Sequence, residues 1–218
     1  MLIQNLKKIL YNNQDVYEGF DWNKYPNTLS PGSMPANELL QQIIRKESPS
    51  LIIEVGSFLG FSAVGMTQAM MEKDKDGVTI CVDSWMGGAD HWEDIRIKRV
   101  NGYPTFYYNF LANICHSGLQ NNILPIALPS NTASVVLQKA FKEGNIKADA
   151  IYIDGSHEPL DVFYDCLNYW ELLKDGGIMF GDDWTCEGVV QGVYSFCNEK
   201  SINSLQIHPN QVHWLLKK

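Results

Sequence analysis

Five acidic residues of this sequence stand at or just after the ends of short apolar runs. Each run has the length and the continuous apolar character of a strand that is buried on both faces. Because the carboxyl ends of parallel strands meet at one edge of a sheet, where such sheets bind their ligands, we expect the acids to share a site. One acid alone is explained equally well by a turn, but five on one edge favour a ligand site: Glu54, Asp83, Asp154, Asp182 and Asp183.

Three of these acids predict a metal site. Asp154, Asp182 and Asp183 follow two strands that are predicted neighbours, and clustered carboxylates repel each other unless a cation or a proton joins them. Ligand sets made of oxygen suit Mg²⁺, Ca²⁺ or Mn²⁺, and a metal-bound hydroxyl loses its proton more easily. The alternative is that Asp182 and Asp183 cap the following helix or turn, while Asp154 contacts only a bound cofactor.

A candidate catalytic base lies close to the first acid of this trio. His157 is three residues after Asp154, and histidine titrates near neutrality, so that it can accept a proton from a hydroxyl group. The alternative is a surface histidine that caps the next helix. Asp161 and Glu158 are nearby substitutes for the base.

A glycine loop follows the first predicted strand, in the segment Glu54-Val-Gly-Ser-Phe-Leu-Gly60. Glycine lets a backbone turn tightly and approach a ligand. The third glycine of a dinucleotide-binding GxGxxG loop is missing. An acid at the start of the loop suits a cationic or zwitterionic ligand better than a pyrophosphate. The alternative is a turn that only packs a strand closely against a helix.

The elements that must position these residues alternate along the chain. Apolar runs predict strands at 51–55, 78–82, 123–128, 150–153 and 178–180, with helical patterns between them. This alternation predicts a doubly wound, mostly parallel α/β sheet. Residues 204–208 and 212–217 flank Pro209 and predict a C-terminal antiparallel hairpin, which makes seven strands. Residues 1–33 form an N-terminal extension, a cap or an arm, before a domain at 34–218.

Composition excludes several classes of protein. The chain has 17 basic and 25 acidic residues, a net charge of −8, which disfavours general binding to nucleic acids or anionic membranes. No apolar run reaches the length that spans a bilayer. Five cysteines without a CxxC pair argue against a disulfide framework or a structural zinc, so a cytoplasmic location is expected.

Several segments resemble one enzyme family. Leu51–Met66 is similar to the first motif of class I S-adenosylmethionine-dependent methyltransferases, especially the catechol O-methyltransferase branch. Ile151–His157 and Leu173–Trp184 resemble the motifs of the fourth and fifth strands of that superfamily. Val82–Trp85 and Tyr107–Asn113 resemble small bacterial and phage methyltransferases that are often linked to glycan pathways. The resemblance covers roughly residues 36–217.

The resemblance implies a Rossmann-like methyltransferase fold and a cofactor site. Gly56 and Gly60 would let the loop lie against the methionine part of S-adenosylmethionine, and Ser62 would bind its carboxylate. Glu54 would fix the loop or the amino group, and Asp83 would accept both ribose hydroxyls. Ser84 and Trp85 would border the adenine, as would Ser130 and Asn131. The full set of implied cofactor residues is Glu54, Gly56, Ser57, Gly60, Ser62, Asp83, Ser84, Trp85, Ser130, Asn131 and Asp154. Trp85 is equally well explained as a core or lid aromatic.

The same resemblance places the chemistry at the fourth and fifth strands. Catechol-type relatives hold a divalent metal there, with an Asp-Asn pair after the fifth strand. This chain has Asp182-Asp183, as in metal-dependent sugar O-methyltransferases, and so Asp154, Asp182 and Asp183 are the implied metal ligands. His157 stands where the catechol-type relatives have a lysine base, which makes His157 and Asp154 the candidate catalytic residues.

Together these features predict an S-adenosylmethionine-dependent O-methyltransferase for a small hydroxylated acceptor, a sugar or a phenol, assisted by a divalent metal such as Mg²⁺. The aromatic stretch 84–110 is expected to be a lid, with a hydrophobic cluster or a homodimer surface as the alternatives. No nucleic-acid or membrane partner is expected. The alternatives for function are a metal-independent N-methyltransferase and a non-catalytic S-adenosylmethionine-binding module. A nicotinamide oxidoreductase is disfavoured because the third glycine is missing.

Overall fold

The computed structural model of this protein describes residues 2–29, 34–95 and 97–218. Its helices and strands alternate along most of the chain, as the sequence predicts. In chain order they are α1 (Leu2–Tyr11), α2 (Met34–Glu47), β1 (Leu51–Val55), α3 (Phe61–Met71), β2 (Val78–Asp83), α4 (Ala89–Glu93), β3 (Arg99–Val100), β4 (Tyr103–Pro104), α5 (Phe106–His116), β5 (Ile123–Ala127), α6 (Ser130–Gly144), β6 (Ala148–Ile153), α7 (Pro159–Trp170), β7 (Leu173–Gly181), α8 (Glu187–Lys200), β8 (Gln206–Ile207) and β9 (Trp214–Lys217).

Seven strands form one sheet in the order β5-β2-β1-β6-β7-β9-β8. The first five of these are mutually parallel, whereas β9 pairs antiparallel with both β7 and β8. The predicted fold, a mostly parallel sheet with a C-terminal antiparallel hairpin, is therefore confirmed. The chain moves from β1 outward to β2 and β5, then returns to β6 and β7 on the other side of β1.

Helices cover both faces of the sheet, which is why its central strands are apolar on both sides. Ile53 in β1 packs into a cluster that includes Leu6 of α1 and Val193 of α8. Its neighbour Ile52 points to the opposite face and packs with Ile44 of α2 and Met66 of α3. Successive side chains of a strand point to opposite faces, so one short apolar run supplies both layers of the core.

Two segments differ from their predicted structure. The fifth parallel strand begins at Leu173 and not near Ile178, because Leu173 pairs with Ala148 across a register shift in the ladder. The residues around Gly176, which precede the predicted strand, therefore belong to β7. The segment between β2 and α5, for which no strand was predicted, contains the short helix α4 and the antiparallel ribbon β3–β4.

The N-terminal extension begins with a helix that packs on α6. Ile3 and Leu6 of α1 are buried, and Leu6 is fully inaccessible. Both belong to the same apolar cluster as the sheet. Within the described residues, no helix is long and apolar enough to cross a membrane.

Candidate functional site

The acidic residues meet where the chain reverses its direction across the sheet. In doubly wound sheets, this switch point between two strands is where ligands bind, outside the carboxyl ends. Here it lies between β1 and β6. Glu54 lies in β1 and Asp83 ends β2, while Asp154 and Asp182 directly follow β6 and β7.

A cavity of about 760 Å³, here called the large cavity, opens at this switch point. That volume is within the range of small-molecule and cofactor sites. Its lining brings together six of the residues that sequence analysis assigned to the cofactor: Gly56, Asp83, Ser84, Ser130, Asn131 and Asp154.

Asp83 is fixed in the lining of the large cavity by two backbone groups. Its Oδ2 accepts a hydrogen bond from the Phe58 amide at 2.8 Å, and its Oδ1 accepts one from the Trp85 amide at 2.7 Å. A carboxylate has about four acceptor sites, so each oxygen retains a lone pair for a ligand hydroxyl. The carboxylate is thus oriented in advance for a vicinal diol.

Glu54 lies beneath the loop and not in the cavity. It is fully buried and accepts hydrogen bonds from the hydroxyls of Ser57 and Ser62. Burial raises the pKa of this carboxyl, and these hydroxyl hydrogen bonds partly oppose the shift. Glu54 therefore holds the loop at both ends. The Ser62 hydroxyl, which was predicted to bind the cofactor carboxylate, donates to Glu54 in this structure.

The loop between β1 and α3 has an unusual backbone. Gly56, Phe58 and Gly60 have φ angles of +89°, +40° and +86°. These angles lie in the left-handed region, which is energetically unfavourable for any residue that has a side chain. The indole Nε1 of Trp85 donates to the Phe58 carbonyl oxygen at 2.6 Å and secures the strained residue. Trp85 itself is 2% exposed and packs against Phe110. Its side chain is thus buried beside the loop and does not border the large cavity, where adenine was expected to meet it.

A second cavity, here called the side cavity, lies against the other face of the loop. Its volume is about 410 Å³. It shares Gly56, Phe58 and Asp154 with the large cavity, so the two spaces meet at these three residues. The remainder of its lining comes from five parts of the chain: Thr28, Leu29, Leu40, Ser57, Leu59, Phe61, Ser62, Tyr152 and Asp182.

The predicted metal ligands surround a third, very small cavity with His157. Burial raises the pKa of Asp154 well above its ordinary value, and the charge of Asp182 adds to the shift. Asp183 Oδ2 lies 2.7 Å from His157 Nε2, and Asp182 Oδ1 lies 3.4 Å from His213 Nε2. Asp183 is thus paired with His157, and Asp182 is paired with His213.

The arrangement of Asp154, Asp182 and Asp183 can be compared with the metal site that was predicted for them. Three crowded carboxylates have the chemistry of a hard-cation site, because a cation would relieve their repulsion. Their arrangement does not fit one: in the part of the chain that the structure describes, no group of three or more His, Cys, Asp or Glu side chains is arranged to hold a metal ion.

The helix α7 supplies one wall of the large cavity, and this wall was not predicted from the sequence. Asp161, Tyr164, Asp165 and Asn168 all line it, and their spacing of i, i+3, i+4 and i+7 places them on one helical face. Asp165 is 4% exposed, and burial raises its pKa to about 6, although a hydrogen bond with Ser130 opposes the shift. The sequence signal that could have identified this wall is the row of polar residues on one face of α7, the helix that follows the strand-end acid Asp154.

Comparison with known proteins agrees with this geometry. A family model described as a methyltransferase domain matches residues 53–184, which is more than half of the chain. No curated protein sequence matches.

Two solved structures share the fold. An O-methyltransferase from Bacillus cereus, in complex with S-adenosylhomocysteine, is 16% identical and has a TM-score of 0.58; the match covers 100% of this chain and 97% of that one. The O-methyltransferase TomG from Streptomyces achromogenes, in complex with S-adenosylmethionine, is 15% identical with a TM-score of 0.59, over 99% of this chain and 90% of TomG. The matched family model and the shared fold confirm the resemblance in the sequence: the chain belongs to the methyltransferase domain family.

Proposed function

We propose that this protein transfers the methyl group of S-adenosylmethionine to a hydroxyl oxygen of a small, phenol-like acceptor. The cofactor occupies the large cavity and the acceptor occupies the side cavity. The observation that carries the proposal is the meeting of the two cavities at Gly56, Phe58 and Asp154. Methyl transfer needs donor and acceptor held close together and in line, and two cavities that share one short boundary supply that arrangement.

The lining of the side cavity favours a phenol over a sugar. Apolar residues supply much of the lining: Leu29, Leu40, Phe58, Leu59 and Phe61. The hydroxyls of the two lining serines are already bonded to Glu54. A flat apolar body with one or two hydroxyls suits such a lining, whereas a sugar needs many hydrogen-bond partners.

Asp154 is the residue that we assign to proton acceptance. In the reaction the bond between sulfur and methyl breaks, a bond between oxygen and methyl forms, and the hydroxyl proton moves to the Asp154 carboxylate. The raised pKa of Asp154 makes it a stronger base than an ordinary carboxylate. His157, the other predicted base, lines only the small cavity and is more than half exposed, so its role stays a prediction.

Assistance by a divalent metal also stays a prediction. It rests on the carboxylate chemistry of Asp154, Asp182 and Asp183, and no step of the proposed transfer is routed through it. Turnover measured with Mg²⁺ and after exhaustive chelation tests it directly: unchanged turnover after chelation contradicts a metal requirement, and loss that Mg²⁺ restores supports one.

The activity is tested by measuring S-adenosylhomocysteine formation with catechol, methyl α-glucoside and benzylamine in separate reactions. We expect turnover with catechol. Asp154→Asn is expected to lower kcat by about 10²–10⁴-fold, the usual contribution of a positioned base. Asp175→Asn, the same change at an exposed acid in β7, is the matched control and is expected to retain full activity.

Other outcomes distinguish the alternatives. Methylation of benzylamine alone would overturn the O-methyltransferase assignment in favour of an amine acceptor. Turnover of the glucoside alone would overturn the phenol assignment. Tight binding of S-adenosylhomocysteine in calorimetry, without methyl transfer to any acceptor, would favour a non-catalytic binding module.

A further inference from the structure

Residues 17–29, here called the N-terminal strap, run along α5 and end at the side cavity. The buried hydroxyl of Tyr17 donates to the Ile123 carbonyl oxygen at 3.0 Å. Further along, the rings of Phe20, Tyr25 and Tyr108 stack on one another, with centroids 5.7 to 6.3 Å apart. The strap is therefore attached to the body of the protein before it reaches the cavity.

The last attachment of the strap is made by Asn113 of α5, which is fully buried. Its Oδ1 accepts hydrogen bonds from the Thr28 amide at 2.9 Å and from the Thr28 hydroxyl at 3.2 Å. Its Nδ2 donates to the Thr28 hydroxyl oxygen at 2.8 Å and to the Leu59 carbonyl oxygen at 2.9 Å. One side chain thus joins the strap to the glycine loop.

The chemistry of this contact requires an amide of this length. An asparagine side chain offers two acceptor sites and two N–H donors, and all four are used here. Loss of a partner would leave buried polar groups unpaired, which proteins rarely tolerate. The positions of the loop at Leu59 and of the strap at Thr28 therefore depend on the same side chain.

We propose that Asn113 is a positioning residue that couples the glycine loop to the strap, so that cofactor binding fixes the acceptor-side wall formed by Thr28 and Leu29. The identification of that wall with the acceptor rests on the proposed function, but the coupling does not. Thr28 and Leu29 line the side cavity, and the glycine loop borders both cavities. A ligand that orders the loop therefore orders the strap through Asn113, and the coupling is reciprocal.

Hydrogen exchange of the strap in the full-length protein, with and without saturating S-adenosylhomocysteine, tests this coupling. In the unmodified protein we expect the ligand to slow exchange of the strap amides by about fivefold or more. Asn113→Ala is expected to abolish this ligand-dependent slowing while S-adenosylhomocysteine still binds. Asn109→Ala, an asparagine change on the same helix, is the control and is expected to leave the slowing intact.

Thr28→Val is the second variant, since residue 28 is exposed and the change removes only the hydroxyl contacts. It is expected to reduce the ligand-dependent slowing by at least half, and it decides the question if Asn113→Ala does not fold. Equal slowing in the unmodified protein and in the folded variants would overturn the proposal, as would the absence of slowing in the unmodified protein. Failure of the proposed function would instead appear as ligand binding and strap protection without methyl transfer.

Discussion

At the scale of single residues, Gly56 has the tightest constraint in the site. A Cβ atom built at this position would lie 2.0 Å from the backbone oxygen of Asp154. The Gly56 amide donates to the Val82 carbonyl oxygen and the Asp154 amide donates to that of Val55, both at 2.8 Å. Three strand ends are thus joined at the point where the loop begins, and no side chain fits between them.

Gly56→Ala is therefore expected to destabilise the protein by roughly 2–5 kcal/mol, from left-handed strain and from the clash together, and to weaken S-adenosylhomocysteine binding. Urea unfolding and calorimetry measure the two effects. Gly19→Ala is the matched control, because Gly19 has a φ of +73° but nothing within 4 Å of the added Cβ. If the two variants lose equal stability, close approach of the backbones is not the constraint.

At the scale of elements, α1 contributes to the core although it belongs to the extension that sequence analysis set apart from the domain. Its apolar side chains Ile3 and Leu6 enter the same cluster as β1 and α6. Lys7 is also buried, and its Nζ lies 2.6 Å from Asp15 Oδ2. The helix therefore contributes to the same hydrophobic core as the sheet.

Leu6→Ala is expected to lower the free energy of unfolding by about 2–5 kcal/mol, as for other leucines removed from a packed core. The unfolding transition should stay single, because α1 shares its core with the sheet. Lys8→Ala, at an exposed position of the same helix, should change stability by no more than about 0.5 kcal/mol. A separate early transition in Leu6→Ala would show that the helix unfolds independently.

At the scale of the whole molecule, buried acids make the stability depend on pH. Burial raises the pKa values of Glu54, Asp154 and Asp165 in the folded protein. A carboxyl group whose pKa is raised on folding holds its proton more tightly in the folded state. Its favourable contribution is fully present below the unfolded pKa and is lost as the pH rises through the folded pKa.

Asp165→Asn isolates one of these acids. The pKa of Asp165 moves from 3.8 to about 6 on folding, so the variant should match the unmodified protein near pH 4. It should become more stable by up to about 3 kcal/mol by pH 8. The difference in urea midpoint across this range measures the effect, with the exposed Asp76→Asn as the control. A difference that does not vary with pH would contradict the raised pKa.

Much of the fold follows from local pattern. Short apolar runs between amphipathic helices predicted the parallel strands, because a strand covered on both faces must be apolar throughout. The acids just past those strands then mark the ligand edge. Which of them faces a ligand is not a local property: Asp83 and Asp154 line the large cavity, whereas Glu54 points beneath the loop and bonds to its serines.

The sequence by itself determined the doubly wound sheet, the methyltransferase family and the edge of the sheet where the site lies, because periodicity and strand-end motifs depend on neighbouring residues. Only the tertiary structure decided that Trp85 lies in the core, that α7 supplies a wall of the large cavity, and that Asn113 joins Thr28 to the glycine loop. These contacts join residues far apart in the chain, and their partners are selected by packing and by hydrogen-bond satisfaction in three dimensions.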